Sequence, residues 1–237
     1  MTTKARVHSV YMGGMVDGPG IRYVLFMAGC MLRCVYCHNP DTWDVQSGTE
    51  MTVDEIMQDI GKYKSYMRFS GGGVTITGGE PFMQPVFLAE LLQRCRAAGY
   101  HTALETSGYA RTGTARAVLP HTDLVLLDVK TYNDDLHRTL TGASNARTLA
   151  MLHLCQELQR PTWVRYVLVP GLTDNLEDIK ALAAFLRPFS CIEKIDVLPF
   201  HKTGEHKWVE LGLDYTLAHT QPPAAELVQQ AQEILGS

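Results

Sequence analysis

A chain of 237 residues, 46% of them hydrophobic and 19% charged, is long enough to bury one sizeable core and short for two independent ones, so a single domain is expected. Its formal net charge of -4 offers no basic footprint for nucleic acid or an anionic membrane, and a protein or small-molecule partner is expected instead. No apolar run approaches the roughly 20 residues of a membrane span, and the opening segment lacks the apolar core of a signal peptide. The expectation is a cytosolic protein, and nothing in the sequence marks an obligate oligomer interface, so a monomer is expected.

The first predicted strand covers 22–28 and runs directly into Gly29-Cys30-Met-Leu-Arg-Cys34-Val-Tyr-Cys37-His38-Asn39. A helix is predicted to open at Thr52, where Thr52 and Glu55 form a capping-box pattern ahead of Ile56, Met57, Ile60 and Tyr63 on one face. A strand at 74–77 follows, then a helix burying Phe87, Leu88, Leu91, Leu92 and Cys95, and strands at 101–105 and 124–129. Further helices at 146–159, 176–186 and 224–235 alternate with strands at 163–169 and 194–198. No fixed-period repeat, low-complexity tract or linker interrupts this order.

Strand and helix alternating six times imply a parallel sheet, and a continuous apolar run such as 124–127 is what a strand covered on both faces requires. Polar residues collect where strands end: Glu80, then Glu105 to Ser107, Asp128 with Lys130, and His201. That edge carries the active site in an α/β barrel and the ligand in an open doubly wound sheet, so periodicity leaves both architectures open.

Six cysteines in a reducing cytosol point to metal binding or catalysis rather than a disulfide framework, and three of them lie within eight residues. Thiolates suit an iron-sulfur cube, which needs one ligand per iron. Three of them leave one iron open for a substrate, as a catalytic zinc keeps a position for its water. Two blander readings compete. Cys34-Val-Tyr-Cys37-His38 also fits c-type haem attachment, although such proteins are usually exported. Cys30, Cys34, Cys37 and His38 fit a structural zinc, although adjacent Cys37 and His38 point apart. Cys95, Cys155 and Cys191 read as ordinary buried cysteines.

The loop resembles the signature of the radical S-adenosylmethionine (SAM) superfamily, C-x3-C-x2-C with an aromatic, here Tyr36, before the last cysteine. Asp17-Gly-Pro-Gly-Ile-Arg22, Phe26, Gly29, the three cysteines and Asn39 together are similar to the glycyl-radical-enzyme activase family within it. The likeness continues through 70–75, Gly78-Gly79-Glu80, Leu127-Asp-Val-Lys130, 165–170, and 198–201 through His206-Lys-Trp208. Residues 38–77 carry none of the cysteines found in the ferredoxin-like insert of many activases. With the chain's length, that makes pyruvate formate-lyase the implied protein partner. A different glycyl radical enzyme, or another radical SAM reaction, is the alternative.

The resemblance implies an incomplete (β/α)6 barrel holding a [4Fe-4S] cluster on Cys30, Cys34 and Cys37. It implies one electron, from flavodoxin or ferredoxin, and cleavage of SAM to a 5'-deoxyadenosyl radical that takes a glycine α-hydrogen. It assigns SAM to the open iron, to Gly78, Gly79 and Glu80, to Asp128, Val129, Lys130 and His201, and to Tyr36, Cys37 and His38 around the adenine. Glu105 and Asp128 are its candidates for a monovalent cation, with an ion pair to Lys130 as the competing reading, and the family usually has Asp where this chain has Glu105. Asp17 and Arg165 are its candidates for holding the partner's glycine loop, unless Arg165 pairs with a barrel carboxylate.

Overall fold

The structure, a computed structural model, describes residues 2–236. In chain order the strands and helices are β1 (Lys4–Gly14), β2 (Arg22–Met27), β3 (Thr49–Thr52), α1 (Val53–Gly61), α2 (Lys64–Ser70), β4 (Gly73–Gly78), α3 (Pro85–Ala97), β5 (His101–Thr106) and α4 (Thr112–Val118). They continue with β6 (Leu124–Asp128), α5 (Asp134–Thr141), α6 (Ala146–Glu157), β7 (Thr162–Leu168), α7 (Leu176–Leu186), β8 (Ile192–Pro199), α8 (Glu205–Glu210) and α9 (Ala225–Leu235).

The eight strands form one sheet in the order β3-β1-β2-β4-β5-β6-β7-β8. From β2 to β8 every pair is parallel. These six strands are the six expected from sequence. Each lies beside its predecessor with no reversal, whereas a doubly wound sheet changes direction at a switch point. The winding is therefore that of a barrel, and β8 and β3 are the free edges of an incomplete one. β1 and β3 join β2's side as antiparallel additions that the hydrophobic pattern did not signal. Only Ala5 and Val7 of β1 are buried apolar side chains, and all four residues of β3 are at least partly exposed.

Successive strand residues face opposite sides. One side packs on the helices: Tyr23, Leu25 and Met27 of β2, Val74 and Ile76 of β4, and Val125 and Leu127 of β6 share a cluster with Ile56, Ile60, Leu91, Leu92 and Leu152. Cys95, Cys155 and Cys191 belong to the same cluster. On the concave side Ala103, Leu124 and Leu126 meet Trp163 in a small apolar floor, so β6 is covered on both faces as its apolar run predicted. Above the floor the concave side carries charge.

Arg22 closes the N-terminal end of this wall. It is fully buried, and Nη2 donates to the Val74 carbonyl at 2.6 Å and Nε to Thr75 Oγ1 at 2.9 Å. Thr75 Oγ1 in turn donates to the Asp17 carbonyl at 2.7 Å. Burial pulls the Arg22 guanidinium down to about 10, against Asp17 and Asp123. Gly72 lets the loop before β2 lie against the end of α2: a Cβ there would stand 1.9 Å from the Ile21 carbonyl oxygen.

The capping box of α1 is present in full: Glu55 N–H donates to Thr52 Oγ1 at 3.1 Å, and Thr52 N–H to Glu55 Oε2 at 2.7 Å. Thr52→Ala removes the first bond. It should lower stability by about 1 kcal/mol, read as a fall in the denaturant midpoint with the transition slope unchanged.

Candidate active site

The cysteine loop leaves the C-terminal end of β2 and is pinned from three directions. On its own side, Gly29 N–H donates to the Thr42 carbonyl at 2.7 Å and Cys30 N–H to the Trp43 carbonyl at 3.1 Å. The end of α5 supplies the second anchor, taking Arg33 N–H on the Thr141 carbonyl at 2.9 Å and Val35 N–H on the Leu140 carbonyl at 3.0 Å. The last carbonyls of a helix lack partners within it, and here the loop provides them. The third anchor follows β8: Trp208 Nε1 donates to the Cys37 carbonyl at 2.9 Å, and Lys207 Nζ to Asn39 Oδ1 at 2.8 Å.

Cys30, Cys34 and Cys37 are free and half-buried. Burial pushes the Cys30 thiol up to about 12 and Cys34 to about 11, and raises Cys37 as well. As thiolates they therefore require nearby positive charge, which bound iron supplies while releasing their protons. Among the described residues no three His, Cys, Asp or Glu side chains converge on one ion position. A cube takes each thiolate on a different iron. His38 is turned away to the other wall, its Nε2 3.0 Å from the His201 carbonyl and its ring 4.3 Å from that of His201.

The glycines after β4 bring a second strand end against the loop. Gly78 has φ +112, and a Cβ would stand 2.3 Å from Met27 N. At Gly79 a Cβ would meet the Gly29 carbonyl oxygen at 2.3 Å. Side chains are excluded at both, and the approach sets Glu80 beside Cys30. Glu80 is 1% exposed and accepts four hydrogen bonds: Oε1 from Thr106 Oγ1 at 2.7 Å and Phe82 N–H at 3.2 Å, Oε2 from Ser107 Oγ at 2.5 Å and Ser107 N–H at 3.0 Å. Burial raises its carboxyl above the usual range, with these donors working against the shift. Among the described residues it has no cationic partner within ion-pair distance.

Asp128, Val129 and Lys130 end β6. Lys130 Nζ pairs with Asp128 Oδ2 at 2.9 Å and lies 5.7 Å from the Tyr36 ring centre. Burial opposes the Lys130 charge, but Asp128, Tyr36 and Cys34 together raise it well above the ordinary lysine value. Val129 is buried and its N–H donates to the Arg165 carbonyl at 3.0 Å.

Asp128, Arg165 and Asp196 are direct neighbours across β6, β7 and β8, and Arg165 Nη1 bonds Glu105 Oε1 of β5. Burial works against the Arg165 charge, yet Glu105, Asp128, Asp17 and Asp196 overcome it and raise the guanidinium further. Both competing readings of these residues are thus realised. Asp128 pairs with Lys130 and Arg165 with Glu105, and a monovalent cation between the two carboxylates would have to share both pairs. Asp17 faces the same group; burial raises its carboxyl, and Arg165 and Arg22 oppose that.

Glu80 thus neighbours Cys30, Lys130 neighbours Asp128, Tyr36 and Cys34, Arg165 neighbours Glu105, Asp128 and Asp17, and the His38 and His201 rings meet, whereas Cys95, Cys155 and Cys191 lie in the helix-side core. Thr106 and Ser107, which hold Glu80, and the end of α5, which holds the cysteine loop, carried no signal of their role, because their partners lie far away in sequence.

A family model, the Radical SAM superfamily, matches residues 24–186. The chain belongs to the radical SAM superfamily. A pyruvate formate-lyase-activating enzyme from Staphylococcus epidermidis is 44% identical over 235 residues, covering 96% of this chain and 94% of the relative. A pyruvate formate-lyase 1-activating enzyme from Escherichia coli is 42% identical over 237 residues, 99% of this chain and 96% of the relative. Among solved structures, a domain of pyruvate-formate lyase-activating enzyme from Bacteroides vulgatus superposes with TM-score 0.59 at 31% identity, over 70% of this chain and 93% of that one. A radical SAM methyltransferase from Sphaerobacter thermophilus superposes with TM-score 0.67 at 17% identity, over 98% and 74%, which supports the fold. The superfamily brings a [4Fe-4S] cluster and SAM as its cofactors, and the three-thiol loop is chemically suited to the first.

The Arg165 side chain is 10% exposed and Glu105 18%. Arg165→Met strands Glu105 near Asp17 and Asp128 and should destabilise the fold by about 3–5 kcal/mol. The double variant Glu105→Gln, Arg165→Met should recover a large part of that loss in denaturant unfolding.

Proposed function

We propose that this chain is the activating enzyme of pyruvate formate-lyase, acting as a cytosolic monomer that receives its electron from flavodoxin or ferredoxin. The observation that carries the reading is a trio of thiols set beside a buried carboxylate that has no cationic partner. Near-full-length similarity to enzymes named for this activity supports it. Among the described residues no helix is long and apolar enough to cross a membrane.

Cys30, Cys34 and Cys37 would hold a [4Fe-4S] cluster, with one iron left open to SAM. A reduced [4Fe-4S] cluster held there would supply the one electron needed to split the sulfonium into methionine and a 5'-deoxyadenosyl radical able to take the α-hydrogen of the partner's glycine. Glu80 accepts the SAM ammonium: a carboxylate already held by four neutral donors is aimed before the cation arrives, so little orientation is lost on binding. Gly78 and Gly79 let the backbone approach the ligand closely. Lys130 faces the ligand's carboxylate and is kept charged by Asp128. His201 contacts the ribose, while Tyr36 and His38 flank the adenine and the backbone at Val129 borders it. Asp17 and Arg165 face the partner's glycine loop across the open side of the barrel. The apolar floor at Ala103, Leu124, Leu126 and Trp163 keeps water from a radical that would otherwise be quenched.

The test is anaerobic incubation of reduced enzyme and SAM with purified pyruvate formate-lyase, following the glycyl radical by electron paramagnetic resonance (EPR). Parent protein should carry about four irons and produce the doublet. Cys30→Ser, Cys34→Ser and Cys37→Ser should each abolish it, and Cys95→Ser, remote from the loop, should not. Anoxically prepared protein with stoichiometric zinc and no iron sinks the proposal, and a doublet on another glycyl radical enzyme alone reassigns the partner.

A further inference from the structure

The turn after β5 holds Glu80, and α6 in turn holds that turn. Thr106 and Ser107 bond the Glu80 carboxylate through both hydroxyls, at 2.7 and 2.5 Å, and through the Ser107 N–H at 3.0 Å. Each hydroxyl oxygen also accepts an N–H of the turn: Gly108 N–H donates to Thr106 Oγ1 at 2.9 Å and Tyr109 N–H to Ser107 Oγ at 3.3 Å. With an N–H on each oxygen, both hydroxyl protons are directed at the carboxylate.

One peptide group fixes the turn. The Ser107–Gly108 peptide gives its N–H to Thr106 Oγ1, and its carbonyl accepts from Thr148 Oγ1 of α6 at 2.7 Å. Gly108 stands at φ +72, and glycine adopts either sign of φ with similar ease, so nothing in its own backbone prevents this peptide from turning over. The hydrogen bonds at its two ends select the orientation. Thr106 and Thr148 are both 2% exposed, which shields these bonds from competing water. The helix also closes directly on the turn: a Cβ on Gly108 would stand 3.0 Å from Met151 Cβ and 3.1 Å from Thr148 Cα. Beside Thr148, the Arg147 guanidinium lies 4.5 Å from the Tyr109 ring centre.

A hydroxyl on α6 thus sets the direction of a carboxylate that belongs to the end of β4. We propose that Thr148 and Ser107 act as one positioning unit for SAM binding: Thr148 holds the Ser107 carbonyl, and the turn so fixed aims Glu80 at the ligand's ammonium. The proposal rests on the reading of Glu80 given above. The ammonium contact is the same before and during cleavage of the sulfonium, so misaligning Glu80 weakens binding and leaves the turnover of bound SAM nearly unchanged.

Cluster-loaded protein prepared without oxygen tests this by equilibrium dialysis, with no partner protein present. Two probes are compared, SAM itself and the analogue in which hydrogen replaces its α-amino group. Thr148→Val keeps the shape of the side chain and removes the donor. At full iron content it should bind SAM about tenfold more weakly, as expected for one lost hydrogen bond. Thr148→Ser restores the hydroxyl and should bind SAM as the parent does. The analogue presents no ammonium to Glu80, so parent and Thr148→Val should bind it equally, whereas a general collapse of the site would weaken both probes alike. Parental SAM affinity in Thr148→Val, or an equal loss for the two probes, overturns the proposal. Should Thr148→Val not fold or load iron, Ser107→Ala breaks the same unit one step nearer Glu80 and must show the amino-dependent loss; parental affinity there overturns the proposal as well. A parent protein that loads iron yet binds no SAM would instead refute the proposed function, before any variant is compared.

Discussion

The two-residue period of a β-strand is the constraint on which this site depends. One face of the six parallel strands must be apolar, because α1, α3, α6 and α7 bury their own apolar faces against it. The alternate positions are released from that demand. Across an incomplete barrel they converge on a concavity, so Thr75, Glu105, Asp128, Arg165 and Asp196 come together although no two share a strand. The same alternation that makes the core makes the wall of the site.

Charge inside such a wall is tolerated only when it is compensated, since an isolated ion removed from water costs several kcal/mol even after relaxation. Glu105 has Arg165, Asp128 has Lys130, and Asp196 has Lys194 at 2.7 Å. Glu80 departs from this scheme. It is the most deeply buried of these carboxylates, and only neutral donors hold it. The uncompensated carboxylate stands next to Cys30 and the glycine approach, so the distribution of ion pairs and the thiols point to the same place in the fold.

Much of this was legible in the sequence because it is local. The six strands show as short apolar runs, and the cysteine loop and the Gly-Gly-Glu turn lie within a few residues. The capping box at Thr52 declares itself by spacing. What stayed hidden is non-local or short. β3 reads as the lead-in to α1, and its pairing with β1 joins Lys4 to Thr52. α4, α5 and α8 span only six to eight residues each, too few turns for a 3.6-residue period to stand out. Arg165 illustrates both sides: its motif was visible, but that it meets Glu105 and not a free partner depends on the β5–β6–β7 register.

The hidden elements complete the cysteine loop. Its N–H groups at Arg33 and Val35 find acceptors on α5, a hundred residues later, and the Cys37 carbonyl finds its donor on α8, later still. α5 is short, with an Asn133 cap, Asp134 and Asp135 in its first turn to complement its N-terminal dipole, and a left-handed Gly142 after Thr141. Its unpaired C-terminal carbonyls, a defect in an isolated helix, are what the loop requires. The three sulfurs are therefore placed by the folded barrel and not by their own spacing. Contacts of such sequence separation carry a large loop-closure entropy, which the rest of the fold must offset. The placement of the trio is thus a property of the whole barrel: α5 and α8, contributed by units far along the chain, hold the loop that carries it.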